Sequence, residues 1–317
     1  MPDDYGHIKV TVIVAFHNAE LTIGTTARSI FEQTLTELEI IFVNDGSLDR
    51  SFDIINDMLV HYPERIDNTS ILFYTFSRGT AAAYDTALAH ASGDYVITAS
   101  PGDFFEANAL KHMSERAYST DADIAWSEHF AGYPGRNKRI RIGKGAPELN
   151  LMRIDYGSFT LHNKLIRRRL LTDNRIAATK GVNSWKDICV VSKLLSLSPT
   201  VTFIHTPLYH CNRSTAYTSE YESRDHLTTT LLLEQWFVKQ YPDNRYQPFL
   251  NNLKFVAKSC FLRGKDKDIK QWKATFPELN SRIMRLNAIS LHRRWLYSAL
   301  IWLPEWMAQQ LARIFIR

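Results

Sequence analysis

One stretch near the N-terminus, residues 10–51, constrains the fold more than any other part of the chain. Val10–Phe16 is a short, β-branched apolar run, which is typical of a strand buried on both faces. In Thr22–Gln33 the apolar residues recur on one helical face, and Glu39–Val43 is a second buried strand. A strand, a helix and a strand at this spacing predict a βαβ unit with parallel strands.

The alternation of helices and strands continues to about residue 100. This part of the chain predicts a helix, a strand, a second helix and a second strand at Phe52–Val60, Ile71–Phe76, Thr80–His90 and Tyr95–Ala99. Such a pattern favours a mostly parallel sheet that is flanked by helices on both faces. A mixed region is predicted from about Leu149 to Arg213, and helices from about Asp225 to the C-terminus.

The composition indicates a folded protein of the cytoplasm. Of the 317 residues, 45% are hydrophobic and 22% are charged, which is typical of a globular chain. The three cysteines are odd in number and share no metal-ligand spacing, so we expect reduced thiols and no disulfide framework. The acidic, polar start does not resemble a signal peptide, and no apolar run approaches the ~20 residues that span a bilayer.

The net charge of +5 is confined to the C-terminal tail, since residues 282–317 contain six arginines and one glutamate. A charge so confined argues against a nucleic-acid partner, which would require basic residues across the folded surface. Trp295, Trp302 and Trp306 lie among aliphatic residues in this tail, and Pro304 can begin a second helix there. This pattern favours an interfacial helix at an anionic membrane. The alternative is an aromatic stripe that packs against the protein itself.

Polar residues follow the first two predicted strands. His17, Asn18 and Glu20 come after the first strand, and Asn44–Ser47 after the second. Ligands of open α/β sheets bind outside the carboxyl ends of the strands. The carboxylate of Asp45 is an acceptor that suits a ribose hydroxyl or a base N–H. Alternatively, Asn44–Ser47 is only a turn, because all four residues are turn formers.

These residues resemble the opening of family 2 glycosyltransferases with the GT-A fold, which have an apolar strand, a Tyr-Asn-Ala-Glu turn and an Asp-Asp-Gly-Ser turn. His17 stands where the family usually has a tyrosine near the base. The resemblance implies an α/β, Rossmann-like GT-A sheet, mostly parallel, with a C-terminal helical extension. It implies a catalytic domain for nucleotide sugar and acceptor over residues 1–215, and a helical region with the basic tail over residues 216–317.

The resemblance also implies a set of residues that bind the nucleotide sugar. They are His17, Asn18, Glu20, Asp45, Arg78, Asp103 and Lys164. Lys164 lies in Asn163–Leu165, which is similar to a family Asn-Lys-Leu sequence.

The family's metal-binding Asp-x-Asp motif is degraded in this chain. Ser100 and Gly102 stand at the two usual aspartates, and the adjacent Asp103 is the carboxylate that remains. In the family, this motif binds a divalent cation that holds the donor diphosphate. One carboxylate with diphosphate and water can bind Mn or Mg only weakly, so we expect a weak dependence on metal. The alternative is that Asp103 caps a helix from about Glu106.

Asp187 matches the aspartate of the family's Glu-Asp pair, which is the general base that deprotonates the acceptor hydroxyl. Lys186 replaces the glutamate of this pair. A helix beginning near Ile188 would place the Asp187 carboxylate at its N-terminus, where the helix dipole stabilises it. The alternative role of Asp187 is a helix cap.

A further departure from the family lies in Ala83–Asp85, where the family commonly has Ala-Arg-Asn. A basic contact to the donor is therefore missing, and Arg78 is a candidate to replace it. Arg78, Lys164 and Arg213 are the basic residues that we expect to share the charge of the leaving diphosphate.

The sequence predicts an inverting glycosyltransferase that uses a UDP- or GDP-type sugar. Its expected acceptor is a glycan or lipid-linked hydroxyl in surface polysaccharide synthesis, such as capsule or O-antigen. Its expected location is the inner face of the plasma membrane. Two alternatives remain open. One is a binding subunit that has lost turnover and supports a partner transferase. The other is a nucleotidyltransferase, although Phe16–Glu20 does not resemble the phosphate loop of such enzymes.

Overall fold

The structure is a computed structural model that describes residues 7–133, 136–142, 159–178, 181–182, 185–197, 199–212, 222–262, 267–286 and 289–316. The chain divides into two compact units. One unit consists of Met1–Pro147 with Gly157–Tyr217, and the other of Glu148–Tyr156 with Thr218–Arg317.

The first unit is built on a single sheet. In the described residues it has nine strands: β1 (Val10–Phe16), β2 (Leu38–Asn44), β3 (Thr69–Phe73), β4 (Tyr95–Ala99), β5 (Phe104–Phe105), β6 (Ile124–Tyr133), β7 (Arg136–Ile140), β8 (Lys164–Arg167) and β9 (Val201–Asn212). The strand order is β3-β2-β1-β4-β8-β6-β9-β5, with β7 paired to β6. The helices of this unit are α1 (Ile23–Phe31), α2 (Ser51–Leu59), α3 (Pro63–Ile66), α4 (Thr80–His90), α5 (Ala109–Ser119), α6 (Arg168–Asp173) and α7 (Lys186–Ser196).

The strands β1 to β4 form the parallel half of the sheet. β1 pairs with β2 on one side and with β4 on the other, all in parallel. The register places Phe16 beside Asn44, and Val14 beside Ala99. The chain connections therefore reverse direction between β1 and β4, which is the point at which α/β sheets open a crevice for ligands. The segments that follow β1, β2 and β4 emerge at the same edge.

The core of this half forms from the apolar runs that the sequence predicts. β1 has six buried residues out of seven because both of its faces are covered. The face of α1 that carries Ile23, Ala27 and Ile30 is fully buried on the sheet. The bounds of β1, α4 and β4 are those predicted from sequence. β3 ends at Phe73, earlier than predicted, and its residues are only partly buried.

The second half of the sheet is mixed. β8 runs antiparallel to β4 and to β6, while β6 and β9 are parallel with a register shift around Glu128. The two-residue strand β5 pairs antiparallel with β9, with Phe104 opposite His210. This pairing brings the end of β9 next to the segment after β4.

The second unit is helical in its described residues. It contains α8 (Glu222–Gln240), α9 (Gln247–Lys258), α10 (Ile269–Ala274), α11 (Leu291–Trp302) and α12 (Glu305–Phe315), with 3-10 helices at Ser259–Leu262 and Pro277–Arg285. Its core includes Phe255, Trp272 and Leu300. None of the helices in the described part of the chain is long and apolar enough to cross a membrane.

Candidate active site

A cavity of about 820 Å³ opens at the sheet edge where β1 and β4 end. Its walls come from several parts of the first unit, which include the turns after β1 and β2, the segment after β4, the start of α4, the segment before β8, the start of α7 and the end of β9. Among the residues that line it are His17, Asn18, Glu20, Asp103 and Asp187. The structure thus brings together predicted site residues that lie up to 170 positions apart in sequence.

The turn after β1 is tied to the turn after β2 by reciprocal hydrogen bonds. The Asn18 side-chain oxygen accepts from the Leu48 N–H at 2.9 Å, and the Glu20 carboxylate accepts from the Arg50 N–H at 3.2 Å. Asn18 has a φ of 47°, in the left-handed region that asparagine tolerates better than most residues. The His17 ring nitrogen Nδ1 lies 2.7 Å from the Asp45 carbonyl oxygen. Three predicted site residues therefore have scaffold contacts as well as a place at the cavity.

Asp45 is buried, at 3% exposure, and is not among the residues that line the cavity. It accepts hydrogen bonds from the Ser77 hydroxyl at 2.7 Å, the Arg78 N–H at 2.6 Å and the Gly79 N–H at 3.0 Å. These bonds hold the loop that leads into α4. The sequence predicts that the Asp45 carboxylate contacts a nucleotide directly. In the structure, three protein donors already bind its two oxygens, so this geometry does not support the direct contact.

The two expected basic contacts also lie outside the cavity lining. The Arg78 guanidinium is 4.6 Å from the centre of the Tyr74 ring on an exposed loop. The Lys164 ammonium is buried, donates to the Thr160 carbonyl at 2.6 Å and lies 4.0 Å from the Trp126 ring centre. Neither side chain is placed to neutralise a diphosphate in the cavity. Arg213 lies outside the described residues.

The segment after β4 does not provide a metal site. Asp103 is 4% exposed, and its two oxygens accept from the Tyr209 hydroxyl at 2.8 Å and from the Asn212 N–H at 2.7 Å. Burial raises the pKa of Asp103 to about 6, against the effect of these hydrogen bonds. Gly102 has a φ of +92°, so an aspartate at this position would be strained.

A divalent cation needs several oxygen ligands, and Ser100, Gly102 and Asp103 do not offer them. No group of three or more His, Cys, Asp or Glu residues that could hold a metal ion occurs in the described ranges of the chain. The residues present therefore do not fit the family's cation. The alternative role of Asp103 as a helix cap is wrong as well, because α5 begins at Ala109 and Asn108 precedes it.

Asp187 lies in the first turn of α7 and lines the cavity. One carboxylate oxygen accepts from the Leu161 N–H at 3.0 Å, and the other lies 3.7 Å from the Lys186 ammonium. The side chain is 32% exposed, so a ligand in the cavity can reach it. The arrangement suits a general base that is held in place and open on one side.

The structure adds two residues that the sequence marks only as departures from the family pattern. Tyr84 is buried at 1% exposure, and Lys186 lies 5.4 Å from the centre of its ring. Both line the cavity. The sequence does contain a signal for this pair. Tyr84 replaces an arginine of the family pattern and Lys186 replaces a glutamate, so a tyrosine and a lysine stand where the family has two oppositely charged residues. Tyr84 lies in α4 and Lys186 begins α7, so only the tertiary structure brings them together.

The chain belongs to glycosyl transferase family 2, because the sequence pattern of that family matches residues 11–174, more than half of the chain. The predicted family is thereby confirmed, and the nucleotidyltransferase alternative is not supported. A cholesterol galactosyltransferase of Borreliella burgdorferi is 29% identical over 230 residues, which are 66% of this chain and 61% of that protein. A poly(ribitol-phosphate) beta-glucosyltransferase of Bacillus spizizenii is 26% identical over 185 residues, 57% of this chain and 28% of that protein.

Solved structures show the same fold. S. aureus TarS 1–349 in complex with UDP-GlcNAc superposes with a TM-score of 0.60 at 19% identity, over 92% of this chain and 90% of that one. The mannosyltransferase PcManGT of Pyrobaculum calidifontis, in complex with GDP-Man and Mn²⁺, gives a TM-score of 0.55 at 17% identity, over 99% and 89%. The predicted GT-A fold is confirmed by these likenesses. The protein is a glycosyltransferase by family.

Proposed function

We propose that this glycosyltransferase transfers a sugar from a UDP- or GDP-type donor to a hydroxyl of a glycan or lipid-linked acceptor, with inversion. The observation that carries the proposal is the position of Asp187 at a cavity where the parallel strands end. The similar structures of TarS and PcManGT hold UDP-GlcNAc and GDP-Man, which supports a nucleotide sugar as the donor. The names of two relatives give cholesterol and poly(ribitol-phosphate) as acceptors, which supports a role in surface polysaccharide or glycolipid synthesis.

The proposed reaction is a single displacement at the anomeric carbon. The acceptor hydroxyl attacks from the face opposite the diphosphate, the new C–O bond forms, and the bond to the phosphate oxygen breaks with its electron pair. Asp187 takes the hydroxyl proton, and the Leu161 N–H holds its carboxylate during the transfer. Inversion follows from attack opposite to the leaving group. Positive charge near the diphosphate stabilises the charge that develops there.

A panel of UDP- and GDP-sugars tests the proposal directly. Release of UDP or GDP is measured with EDTA and with added Mn²⁺, using the full chain with and without membrane extract as the acceptor source. We expect turnover of at least one donor, and its retention in EDTA. A protein that binds a nucleotide sugar but never turns it over would instead be the binding subunit that supports a partner transferase.

The tail of the second unit supports a membrane acceptor. The inner sides of α11 and α12 pack into the helical core through residues such as Tyr297 and Ala308. Their tryptophans do not: Trp295, Trp302 and Trp306 are 64%, 86% and 70% exposed. The alternative in which the aromatic stripe packs on the protein is therefore wrong for these three residues. Exposed tryptophans beside arginines are typical of peripheral helices at anionic lipid, and we place the enzyme at the inner face of the plasma membrane.

The membrane proposal is tested with surface substitutions, because residues 282–317 also supply part of the helical core. In vesicles of phosphatidylglycerol and phosphatidylethanolamine, the double variant Trp302→Gln/Trp306→Gln should bind about tenfold more weakly than the parent protein. Val60→Gln, a change at a 73% exposed residue of the first unit, is the matched control and should bind normally. Equal binding of the double variant and the parent, with equal salt dependence, would contradict the proposal.

A further inference from the structure

The cavity holds many acidic groups and little positive charge. Glu20, Asp49, Asp103 and Asp187 are among the residues that line it, and of these the Asp103 carboxylate is turned inward. Lys186 is the only lysine or arginine among the described residues that line the cavity. A nucleotide diphosphate sugar brings further negative charge, and such charge is bound in proteins by cations or by N–H and O–H donors. Since the residues after β4 do not fit a divalent cation, Lys186 is the group with the right charge in the right place.

The ammonium group of Lys186 is available for a ligand. It belongs to the first residue of α7, and its side chain is 19% exposed. It forms an ion pair with the Asp187 carboxylate at 3.7 Å, which is beyond hydrogen-bond distance. A lysine ammonium has three donors, so all of them remain for an anion that enters the cavity.

Tyr84 provides a second unsatisfied donor next to Lys186. Its hydroxyl is buried and has no hydrogen-bond partner among the residues that the structure describes. Burial, and then the charges of Asp85 and Asp187, raise the pKa of Tyr84 above its usual range, so the phenol keeps its proton. A buried hydroxyl without a partner destabilises a fold. Because Tyr84 lines the cavity, a ligand oxygen that reaches the hydroxyl from that side would accept its hydrogen bond.

We propose that Lys186 and the hydroxyl of Tyr84 form an anion subsite that receives the donor diphosphate in place of a metal ion. The inference rests on the proposed function and names the groups that bind the donor's charge. Lys186 also lies beside the general base Asp187.

The test compares nucleotides that differ only in phosphate number. UDP and GDP are titrated into the protein by calorimetry in the presence of EDTA. For the nucleotide that binds, the corresponding monophosphate and nucleoside are then titrated in the same way. Lys186→Gln should lose about tenfold or more in diphosphate affinity, and much less in monophosphate affinity. Lys193→Gln, on the same helix but outside the cavity lining, is the matched control and should match the parent protein.

Tyr84→Phe gives a signature that a purely structural residue would not give. Removal of an unpartnered buried hydroxyl should raise the melting temperature of the free protein or leave it unchanged. The same change should reduce the diphosphate affinity several-fold. A variant that is both less stable and unchanged in affinity would overturn the role of Tyr84.

Other outcomes overturn the subsite as a whole. One is binding in EDTA that Lys186→Gln leaves unchanged, and another is binding that EDTA abolishes and Mn²⁺ restores. A third is a loss confined to a UDP-uronate, with UDP itself unaffected, which would assign Lys186 to a sugar carboxylate. Failure of the parent protein to bind UDP, GDP or any of their sugars would instead overturn the proposed function.

Discussion

The two sides of the cavity differ in how they use the family pattern. On the side formed by the turns after β1 and β2, the family residues Asn18, Glu20 and Asp45 are present, and the polar groups of this side tie one turn to the other. On the side formed by β4 and α7, the paired aspartates and the glutamate are gone, and Lys186 faces the open space. Where the chain matches the family motif, the matching residues hold the shape of the cavity edge. The departures mark where the charge of the site has changed.

The largest expected effect comes from Asp187→Asn on the second side. The change removes the proton acceptor and keeps an oxygen for the Leu161 N–H, so the fold should be retained. We expect turnover to fall by about a factor of a thousand, with donor affinity nearly unchanged. Donor-hydrolysis and transfer rates measure the loss, and Asp173→Asn, on the exposed end of α6, is the control. A normal rate in the variant would place the base elsewhere.

The next largest effect is expected for Asp45, which belongs to the side formed by the turns after β1 and β2. Asp45→Ala leaves the N–H groups of Arg78 and Gly79 without their acceptor. We expect a loss of about 2–3 kcal/mol in the free energy of unfolding, together with a weaker affinity for UDP or GDP. Guanidinium denaturation and calorimetry measure both, with Asp57→Ala on the surface of α2 as the control.

Asp45 and Lys186 should therefore differ in the kind of effect that they have. Asp45 acts through the fold, so its variant should lose stability and affinity together. Lys186 acts on the ligand, so its variant should lose affinity alone. If Asp45→Ala weakens nucleotide binding without any loss of stability, the first side binds the nucleotide directly and the distinction fails.

The smallest effect concerns pH and Asp103. Its pKa is raised to about 6 by burial, from a value of 3.8 for an exposed aspartate. The folded state therefore holds this proton more tightly than the unfolded state, and the group's contribution to stability falls as the pH rises from about 4 to about 6. Relative to Asp103→Asn, the parent protein should lose on the order of 2 kcal/mol of unfolding free energy across this window. Denaturation at pH 4.5 and 6.5 measures the difference, with Asp57→Asn as the control. A constant difference between parent and variant would show that Asp103 titrates normally.

Much of the first unit was predictable because its signals are local. A strand that is covered on both faces needs apolar residues on both faces. The continuous apolar runs of β1, β2 and β4 therefore identify them as buried strands from sequence alone. The periodicity of α1 likewise predicts the face that it buries. The end of β1 then places His17 at the sheet edge where the cavity opens, and Asp187 reaches the same cavity from the first turn of α7.

The direction of individual side chains was not predictable in this way. The Asp103 carboxylate turns inward because Tyr209 and Asn212, more than a hundred residues later, present donors to it. Lys164 is drawn into the protein by the Trp126 ring and the Thr160 carbonyl instead of reaching the cavity. The contacts of Asp103 with Tyr209 and Asn212, and of Lys164 with Trp126, join segments whose proximity no local pattern encodes.

The sequence by itself determined the family, the parallel half of the sheet and the edge at which the site lies. These follow from hydrophobic periodicity and turn chemistry, which act over a few residues. Only the tertiary structure decided which polar side chains face the cavity. That choice depends on which donors and acceptors the folded chain supplies at each position. Asp45 and Asp103 accept hydrogen bonds from inside the protein. Lys186 has an ion pair with Asp187 at 3.7 Å, and the Tyr84 hydroxyl has no hydrogen-bond partner in the part that the structure describes.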